Sequence, residues 1–127
     1  MPRVVNSTDQ APTPGGWYSQ SVRAHGIVWA AGQGGADPAT GQMVGDDVES
    51  QTLQSLRNLQ AVLEASGATL DDVVRVGVYL TTPDDFAAMN EVYKSFWGEG
   101  SPARTTVSVG LPGAMKVEID AMAVVDA

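Results

Sequence analysis

The sequence Ser-Pro-Ala-Arg-Thr-Thr-Val-Ser-Val, residues 101–109, sets an arginine at the start of a segment whose character alternates from residue to residue. Side chains of a β-strand point to opposite faces in turn, so Arg104, Thr106 and Ser108 would share one face. Such a polar face is typical of the wall of a binding site. We therefore predict a strand here, with Arg104 in a functional position.

A second alternating run follows at residues 116–124. Its apolar face is made of small and β-branched side chains, Val117, Ile119, Ala121 and Ala123. Glu118 belongs to the opposite face. We predict two successive strands at the end of the chain, on which an arginine and a carboxylate could meet across a hairpin.

Residues 18–24 and 27–31 are two extended segments separated by His25-Gly26, a pair typical of a tight β-hairpin turn. The glycine-rich residues 32–41 follow, and glycine lets a backbone turn sharply or approach a ligand. The segment lacks the lysine of a phosphate-binding loop, so we interpret it as a turn rather than a nucleotide site.

Two later segments have the apolar spacing of amphipathic helices. The first lies between Asp46-Asp47 and Ser66-Gly67, with Gln51 and Asn58 on its predicted solvent face. The second begins at Thr82-Pro83, with threonine as cap and proline at the first helical position. Their predicted buried positions are Val48, Leu53, Leu56, Leu59 and Leu63 in the first helix, and Phe86, Met89, Tyr93 and Phe96 in the second.

A β-branched run between the helices predicts a strand, with Val74, Val76, Val78 and Leu80 on one side. The resulting order is strand, strand, helix, strand, helix, strand, strand. It predicts an α+β fold in which a mixed sheet has two helices packed on one face. Residues 1–127 are expected to form a single domain, because a chain of this length needs no second core.

The uncovered face of the predicted sheet would mix Tyr18, Arg104 and Glu118 with apolar side chains. This mixture is too polar for a sealed core and too apolar for open water. We expect a packing partner on this face, most simply further copies of the same chain.

Composition excludes several classes of function. The formal net charge of −8, without a cluster of lysine or arginine, disfavours a nucleic-acid partner. The absence of cysteine excludes disulfides and thiolate chemistry, and the lone His25 cannot build a metal site. No apolar run is long enough to span a membrane, and the N-terminus has no signal-like core, so we expect a cytoplasmic protein.

The motifs along residues 16–125 resemble those of the reactive-intermediate deaminase family, also known as the YjgF or Rid family. No single motif is specific, and the resemblance rests on their order and spacing. The motifs are Tyr18, Ala30-Ala31-Gly32-Gln33, Asp37-Pro38-Ala39-Thr40-Gly41, Gln51 with Asn58-Leu59, residues 85–93, Pro102-Ala103-Arg104-Thr105 and residues 117–121.

The resemblance implies a chorismate-mutase-like fold, in which three subunits pack their sheets into a central barrel and ligand sites lie between subunits. It also implies hydrolysis of enamine and imine intermediates, such as 2-aminoacrylate, to 2-keto acids and ammonia. Imines hydrolyse readily, so neither a cofactor nor a metal is expected. The alternatives are a pathway-specific deaminase of a larger aminated acid, or a non-catalytic member that binds small acids or acts like a chaperone. Endoribonuclease activity, also claimed for relatives, fits poorly with the charge.

Arg104 and Glu118 are the predicted catalytic residues. A guanidinium group matches a carboxylate with two parallel hydrogen bonds, so Arg104 would hold the substrate carboxylate. Glu118 would order and partly deprotonate the attacking water, as the resemblance also implies; the alternative is a structural ion pair between the two. The predicted substrate-binding residues are Tyr18, Ala31, Gly32, Asn90, Arg104 and Thr106, and Asn90 is expected to brace the site.

Three positions depart from the family pattern. Thr106 stands where many relatives have cysteine, Ala31 where many have serine, and Trp17 where proline is common. We interpret the changes at Trp17 and Ala31 as bearing on the range of substrates.

Overall fold

The computed structural model describes residues 2–125, which form a six-stranded mixed sheet with two helices on one face. The strand order is β1-β2-β3-β6-β4-β5, and among the described strands β4 and β5 form the parallel pair. The elements are β1 (Val4–Asn6), β2 (Ser21–Ala24), β3 (Ile27–Gln33), α1 (Val48–Ala65), β4 (Val73–Leu80), α2 (Phe86–Lys94), β5 (Ala103–Ser108) and β6 (Val117–Val124), with 3-10 turns at Leu70–Asp72 and Pro83–Asp85.

Strand β6 lies inside the sheet, between β3 and β4. Its alternation is confirmed, since one face is buried under the helices and the other is partly exposed. The buried side chains are the four predicted ones, Val117, Ile119, Ala121 and Ala123. This face forms the core together with the apolar side of α1.

The predicted N-terminal hairpin is confirmed, although its strands have different limits. His25 and Gly26 have φ of 51° and 74°, the left-handed conformation that a two-residue hairpin turn requires. Strand β2 begins only at Ser21, and β3 continues to Gln33 through a bulge between Ala30 and Gln33. The start of the glycine-rich segment is therefore strand rather than loop.

The predicted hairpin between the last two strands is wrong. Strand β5 pairs with β4, and β4 separates β5 from β6. Both edges of β6 are already occupied by β3 and β4. Strand β5 therefore joins the sheet at the outer edge of β4. The β5–β6 loop, residues 109–116, is long enough to pass β4, which a tight turn is not.

Helix α1 confirms the predicted ends. The Asp47 side chain accepts a hydrogen bond from the Ser50 N–H at 2.8 Å, and Gly67 follows the helix with φ of 84°. The predicted solvent face is wrong for Gln51 and Asn58, which are both fully buried. Leu53, in turn, is only partly buried.

The burial pattern of β4 changes at its first residues. A register shift between Val73 and Arg75 gives Val73 the buried position and leaves Val74 45% exposed, contrary to the prediction for Val74. The rest of the predicted apolar side, from Val76 onward, is buried. A bulge inserts one extra residue, so strict alternation fails at that point.

Helix α2 follows the predicted start, because the Thr82 hydroxyl accepts from the Asp84 N–H and Pro83 opens a 3-10 turn. Met89 and Tyr93 are buried, whereas Phe86 is 41% exposed. Both helices cover the same sheet face, so the predicted layer order is confirmed. Neither helix in residues 2–125 combines the length and apolar character needed to cross a bilayer.

The opposite sheet face has no covering layer within the described chain. Its strands present large apolar side chains that remain 40% to 45% exposed. They include Trp29, Val107 and Val124.

Candidate functional site

Four of the predicted site residues, Tyr18, Ala31, Gly32 and Glu118, line one cleft of about 910 Å³, here called the Glu118 cleft. Its floor is the junction of β3 and β6. Its walls come from residues 12–18, from the β3–α1 loop (residues 34–47) and from the β5–β6 loop. The cleft therefore collects segments from both ends of the chain.

Gly32 lies directly against Glu118. A β-carbon added at Gly32 would be 2.8 Å from Cδ and 2.9 Å from Cγ of Glu118, so any side chain would displace the carboxylate. The bulge in β3 covers this position, and bulges commonly re-aim the backbone beside active sites. Glycine at position 32 is therefore required for a carboxylate this close to backbone.

Glu118 is an unusually basic carboxylate. Burial raises its pKa, and the neighbouring Asp120 charge raises it further. Asp120 accepts hydrogen bonds from the Gly77 N–H and from the Tyr79 hydroxyl, each at 3.0 Å. Among residues 2–125, no hydrogen-bond donor reaches the Glu118 side chain.

Tyr18 is the aromatic residue that lines the Glu118 cleft. Its hydroxyl accepts from the Gly15 N–H at 3.2 Å, while the ring remains 54% exposed. The neighbouring Trp17 is fully exposed and lines a separate surface groove with Tyr18 and Trp29.

Arg104 lies in a second cleft of about 680 Å³, here called the Arg104 cleft, which is lined by α2 and the segment leading into β5. Its Nη1 donates to Asn90 Oδ1 at 2.8 Å. Its guanidinium carbon lies 4.6 Å from the ring centroid of Tyr93 and 5.5 Å from that of Phe86. Asn90 thus holds the Arg104 guanidinium by a hydrogen bond, and the aromatic faces orient the cation.

Tyr93 forms the buried floor beside Arg104. Burial raises the pKa of its hydroxyl, and this effect exceeds the opposing influence of the Arg104 charge. Tyr93, which is already neutral at ordinary pH, is held still more firmly in its neutral form. It therefore presents a ring face to Arg104 rather than a competing anion.

The two predicted catalytic residues do not meet within one chain. Arg104 pairs with Val76 on β4, whereas Glu118 pairs with Tyr79, three residues further along the same strand. Cross-strand partners share a face, and positions three apart on β4 have opposite faces. Arg104 is therefore on the helix side and Glu118 on the uncovered side, which excludes an ion pair between them in one subunit.

Thr106 follows Arg104 on the helix side, where it pairs with Val78. It is only partly exposed and lies outside the residues that line either cleft. The predicted residues thus form two groups, Tyr18, Ala31, Gly32 and Glu118 on one hand, and Asn90 with Arg104 on the other.

Several residues in the two clefts escaped sequence reasoning. Met43 and Met115 line the Glu118 cleft, and a β-carbon on Gly34 would lie 2.6 Å from the Met115 methyl group. Tyr93 was predicted only as a core residue, although it supports Arg104. The methionines lie in loops without periodicity, so no pattern marks them.

Residues 2–125 contain no group of three or more histidine or carboxylate side chains suited to a metal ion.

Comparison with known proteins identifies relatives over nearly the whole chain. The family model described as Endoribonuclease L-PSP matches residues 8–125. A RutC family protein from Pyrococcus horikoshii is 48% identical over 122 residues, which are 95% of this chain and 97% of the relative. A 2-iminobutanoate/2-iminopropanoate deaminase from Dermatophagoides farinae is 40% identical over 126 residues, 98% of each chain.

Solved structures agree with these matches. The crystal structure of E. coli TdcF with bound serine superposes with a TM-score of 0.92 at 37% identity, covering 97% of this chain and 99% of that one. Fold, length and motif order therefore coincide. The chain belongs to the reactive-intermediate deaminase family, also called the YjgF or Rid family, to which the Endoribonuclease L-PSP model corresponds.

Proposed function

We propose that this chain, acting in the cytoplasm as the single domain of a homotrimer, hydrolyses 2-imino acids to 2-keto acids and ammonia. The observation that carries the proposal is the Glu118 carboxylate, which is partly buried, has a raised pKa and lies against the backbone of Gly32 in an open cleft. A base of this kind suits the activation of one water molecule. Relatives named as imine deaminases support the assignment.

The complete site would be shared by two subunits. Glu118 and Arg104 are on opposite faces of their own sheet, so a substrate held by both groups requires Arg104 of a neighbouring copy. The uncovered sheet face, with its exposed Trp29 and Val107, gives such a copy an apolar surface to bury. The bound serine in the TdcF structure supports small-molecule binding by this fold.

The chemistry needs three tasks. Arg104, oriented by Asn90, would hold the substrate carboxylate with two parallel hydrogen bonds, a contact worth about 1.5–3 kcal/mol. Glu118 would accept a proton from water while the water oxygen bonds to the C=N carbon, giving a carbinolamine. Glu118 would then return the proton to the nitrogen. As the C–N bond breaks, Glu118 would pass the hydroxyl proton to the departing nitrogen, and the products are the keto acid and ammonia.

Mixing two inactive variants tests both the chemistry and the shared site. Arg104→Ala and Glu118→Gln are each expected to lose ammonia release from 2-iminopropanoate, generated from alanine by an amino-acid oxidase. Co-refolded in equal amounts, they should regain about a quarter of the wild-type rate, since a site is intact when one variant supplies Glu118 and the other Arg104. Full activity of Arg104→Ala alone would contradict the catalytic proposal. Absence of recovery would contradict the shared site.

A larger aminated acid is the second candidate substrate. The Glu118 cleft of the single chain, at about 910 Å³, is far larger than a three-carbon acid, and Met43 and Met115 offer adaptable apolar contacts in its loop walls. Imines prepared from alanine, leucine, methionine and phenylalanine should then differ in kcat/KM, with the longer side chains preferred. Values that fall from the alanine-derived imine to the longer ones would argue for the small substrate.

Ribonuclease activity, suggested by the name of the family model, is disfavoured for this chain. A net charge of −8 repels a phosphate backbone, and the sequence has no basic cluster to offset it. Degradation of RNA by the purified protein that persists in Arg104→Ala and Glu118→Ala would overturn this judgement.

A further inference from the structure

Helix α1 buries a row of polar side chains where an apolar stripe would be expected. Gln51, Ser55 and Asn58 are each fully buried, yet they lie at the helix spacing of a core-facing stripe. Burial of amides is unfavourable unless their hydrogen bonds are made. Their partners therefore show what the row does.

The row binds the backbone that enters the β3–α1 loop. Ser55 donates to the Gln33 carbonyl, and Asn58 Nδ2 donates to the carbonyls of Gly34 and Ala36 at 3.0 and 2.8 Å. Gly35 packs on the helix itself, since an added β-carbon would lie 2.6 Å from Gln51 Cα. This wall of the Glu118 cleft is thus fixed on α1.

Gln51 alone in this row contacts both loops that flank the Glu118 cleft. Its Nε2 donates to the Gly45 carbonyl at 2.9 Å, in the β3–α1 loop, and to the Ala114 carbonyl at 3.1 Å, in the β5–β6 loop. Its Oε1 accepts from the Lys116 N–H at 2.8 Å. Lys116 precedes Glu118 by two residues, immediately before β6 begins.

We propose that Gln51 is a positioning residue for imine hydrolysis, because its one amide ties the β3–α1 loop to the start of β6 and so sets the Glu118 carboxylate against Gly32. This inference rests on the proposed function. Gln51 does not line the Glu118 cleft. It acts through its hydrogen bonds to the backbone of Gly45, Ala114 and Lys116. Its effect should fall on the chemical step rather than on carboxylate binding, which is assigned to Arg104.

The test compares Gln51→Met with a control on the same helix turn. Methionine keeps the volume of glutamine and removes all three hydrogen bonds. Thr52→Val is the control, since Thr52 is equally buried and its hydroxyl has no hydrogen-bond partner in the described chain. Both variants are assayed at a temperature where their circular dichroism matches that of the wild type.

We expect Gln51→Met to lower kcat about 10- to 100-fold with little change in KM, because a displacement of about 1 Å at a reacting group can cost that much. Amide exchange should accelerate at residues 44–46 and 113–116, which the Gln51 amide holds, while the far end of α1 stays protected. Thr52→Val should match the wild type in both measurements. If Gln51→Met does not fold, Gln51→Asn takes its place, because it keeps a polar amide but is one methylene too short to hold both loops, and it should give the same loss of kcat and the same exchange pattern.

Unchanged kcat in folded Gln51→Met, or an equal loss of kcat in Thr52→Val, would overturn the positioning role. Failure of the proposed function is distinguishable from both, because the wild type itself would then release no ammonia. In that event amide exchange decides, and exchange unchanged at residues 113–116 would overturn the inference.

Discussion

The Arg104 cleft and the Glu118 cleft stabilise their charged groups in opposite ways. Arg104 has an amide oxygen and two aromatic faces arranged around its guanidinium group. Glu118 has backbone against its carbon atoms, a second carboxylate nearby and no hydrogen-bond donor among residues 2–125. The first environment favours a permanent cation, while the second makes an anion ready to take a proton. The proposed roles, a cation that holds the substrate carboxylate and a base that takes a proton from water, require these opposite environments.

The largest effect is expected from removing the proposed base, Glu118. Glu118→Gln should lower kcat by about 10²- to 10⁴-fold, since positioned acid-base groups contribute on that scale. The same change should raise thermal stability slightly, because a carboxyl with a raised pKa contributes stability only below its pKa and loses it as pH rises. Ammonia release and a melting curve at neutral pH measure both effects.

Glu64→Gln, on the exposed side of α1, is the matched control and should alter neither quantity. Activity of Glu118→Gln close to that of Glu64→Gln would remove the catalytic role of Glu118.

The anchor is tested by Arg104→Lys, which keeps the charge and loses the planar fork. We expect KM to rise about 10- to 100-fold with a smaller change in kcat, since lysine cannot make two parallel bonds to a carboxylate. Steady-state kinetics with 2-iminobutanoate measure KM and kcat separately. Arg57→Lys, an exposed substitution on α1, should leave KM unchanged. A normal KM in Arg104→Lys would show that charge alone suffices there.

The strands that carry Arg104 and Glu118 could be predicted from local sequence patterns, but their places in the sheet could not. Alternation along residues 103–108 and 117–124 located both strands, and the faces of β6 were correct. The insertion of β4 between them depends on which edges of the sheet are free, and that is a property of the whole fold. The buried Gln51 and Asn58 were missed because amides are usually solvent-facing and their carbonyl partners lie in loops without periodicity.

A smaller effect is expected from the support of the anchor. Asn90→Ala removes the hydrogen bond to Arg104 Nη1 but leaves both aromatic faces. We expect KM to rise only severalfold, because Arg104 keeps its charge, its planar fork and both aromatic contacts and loses a single supporting hydrogen bond. A KM as high as that of Arg104→Lys would mean that Asn90 contacts the substrate directly. Isothermal titration with 2-oxobutanoate would give the same ranking without turnover.

The smallest predicted change is a shift in pH dependence. In the proposed mechanism Glu118 acts as a base when deprotonated, so kcat/KM should fall as pH falls through its raised pKa. Asp120→Asn removes the charge that helps to raise the pKa of Glu118, and the asparagine oxygen can still accept from the Gly77 N–H. The other titratable and charged groups beside this pair, Arg75 and Tyr79, are unchanged in the variant. The fall should therefore move to lower pH. A shift to higher pH, or no shift, would contradict the account of Glu118.

The bulged pairing of β3 with β6 has a consequence for how this protein is made. It joins Gln33 to Ile119, so Gly32 and Glu118 meet only after a very long loop has closed, whereas Phe86, Asn90, Tyr93 and Arg104 belong to one short crossover. Local contacts form early and distant ones late. Since β6 also joins the β1–β3 half of the sheet to the β4–β5 half, a chain that terminates before β6 would lose Glu118 and the centre of the sheet together.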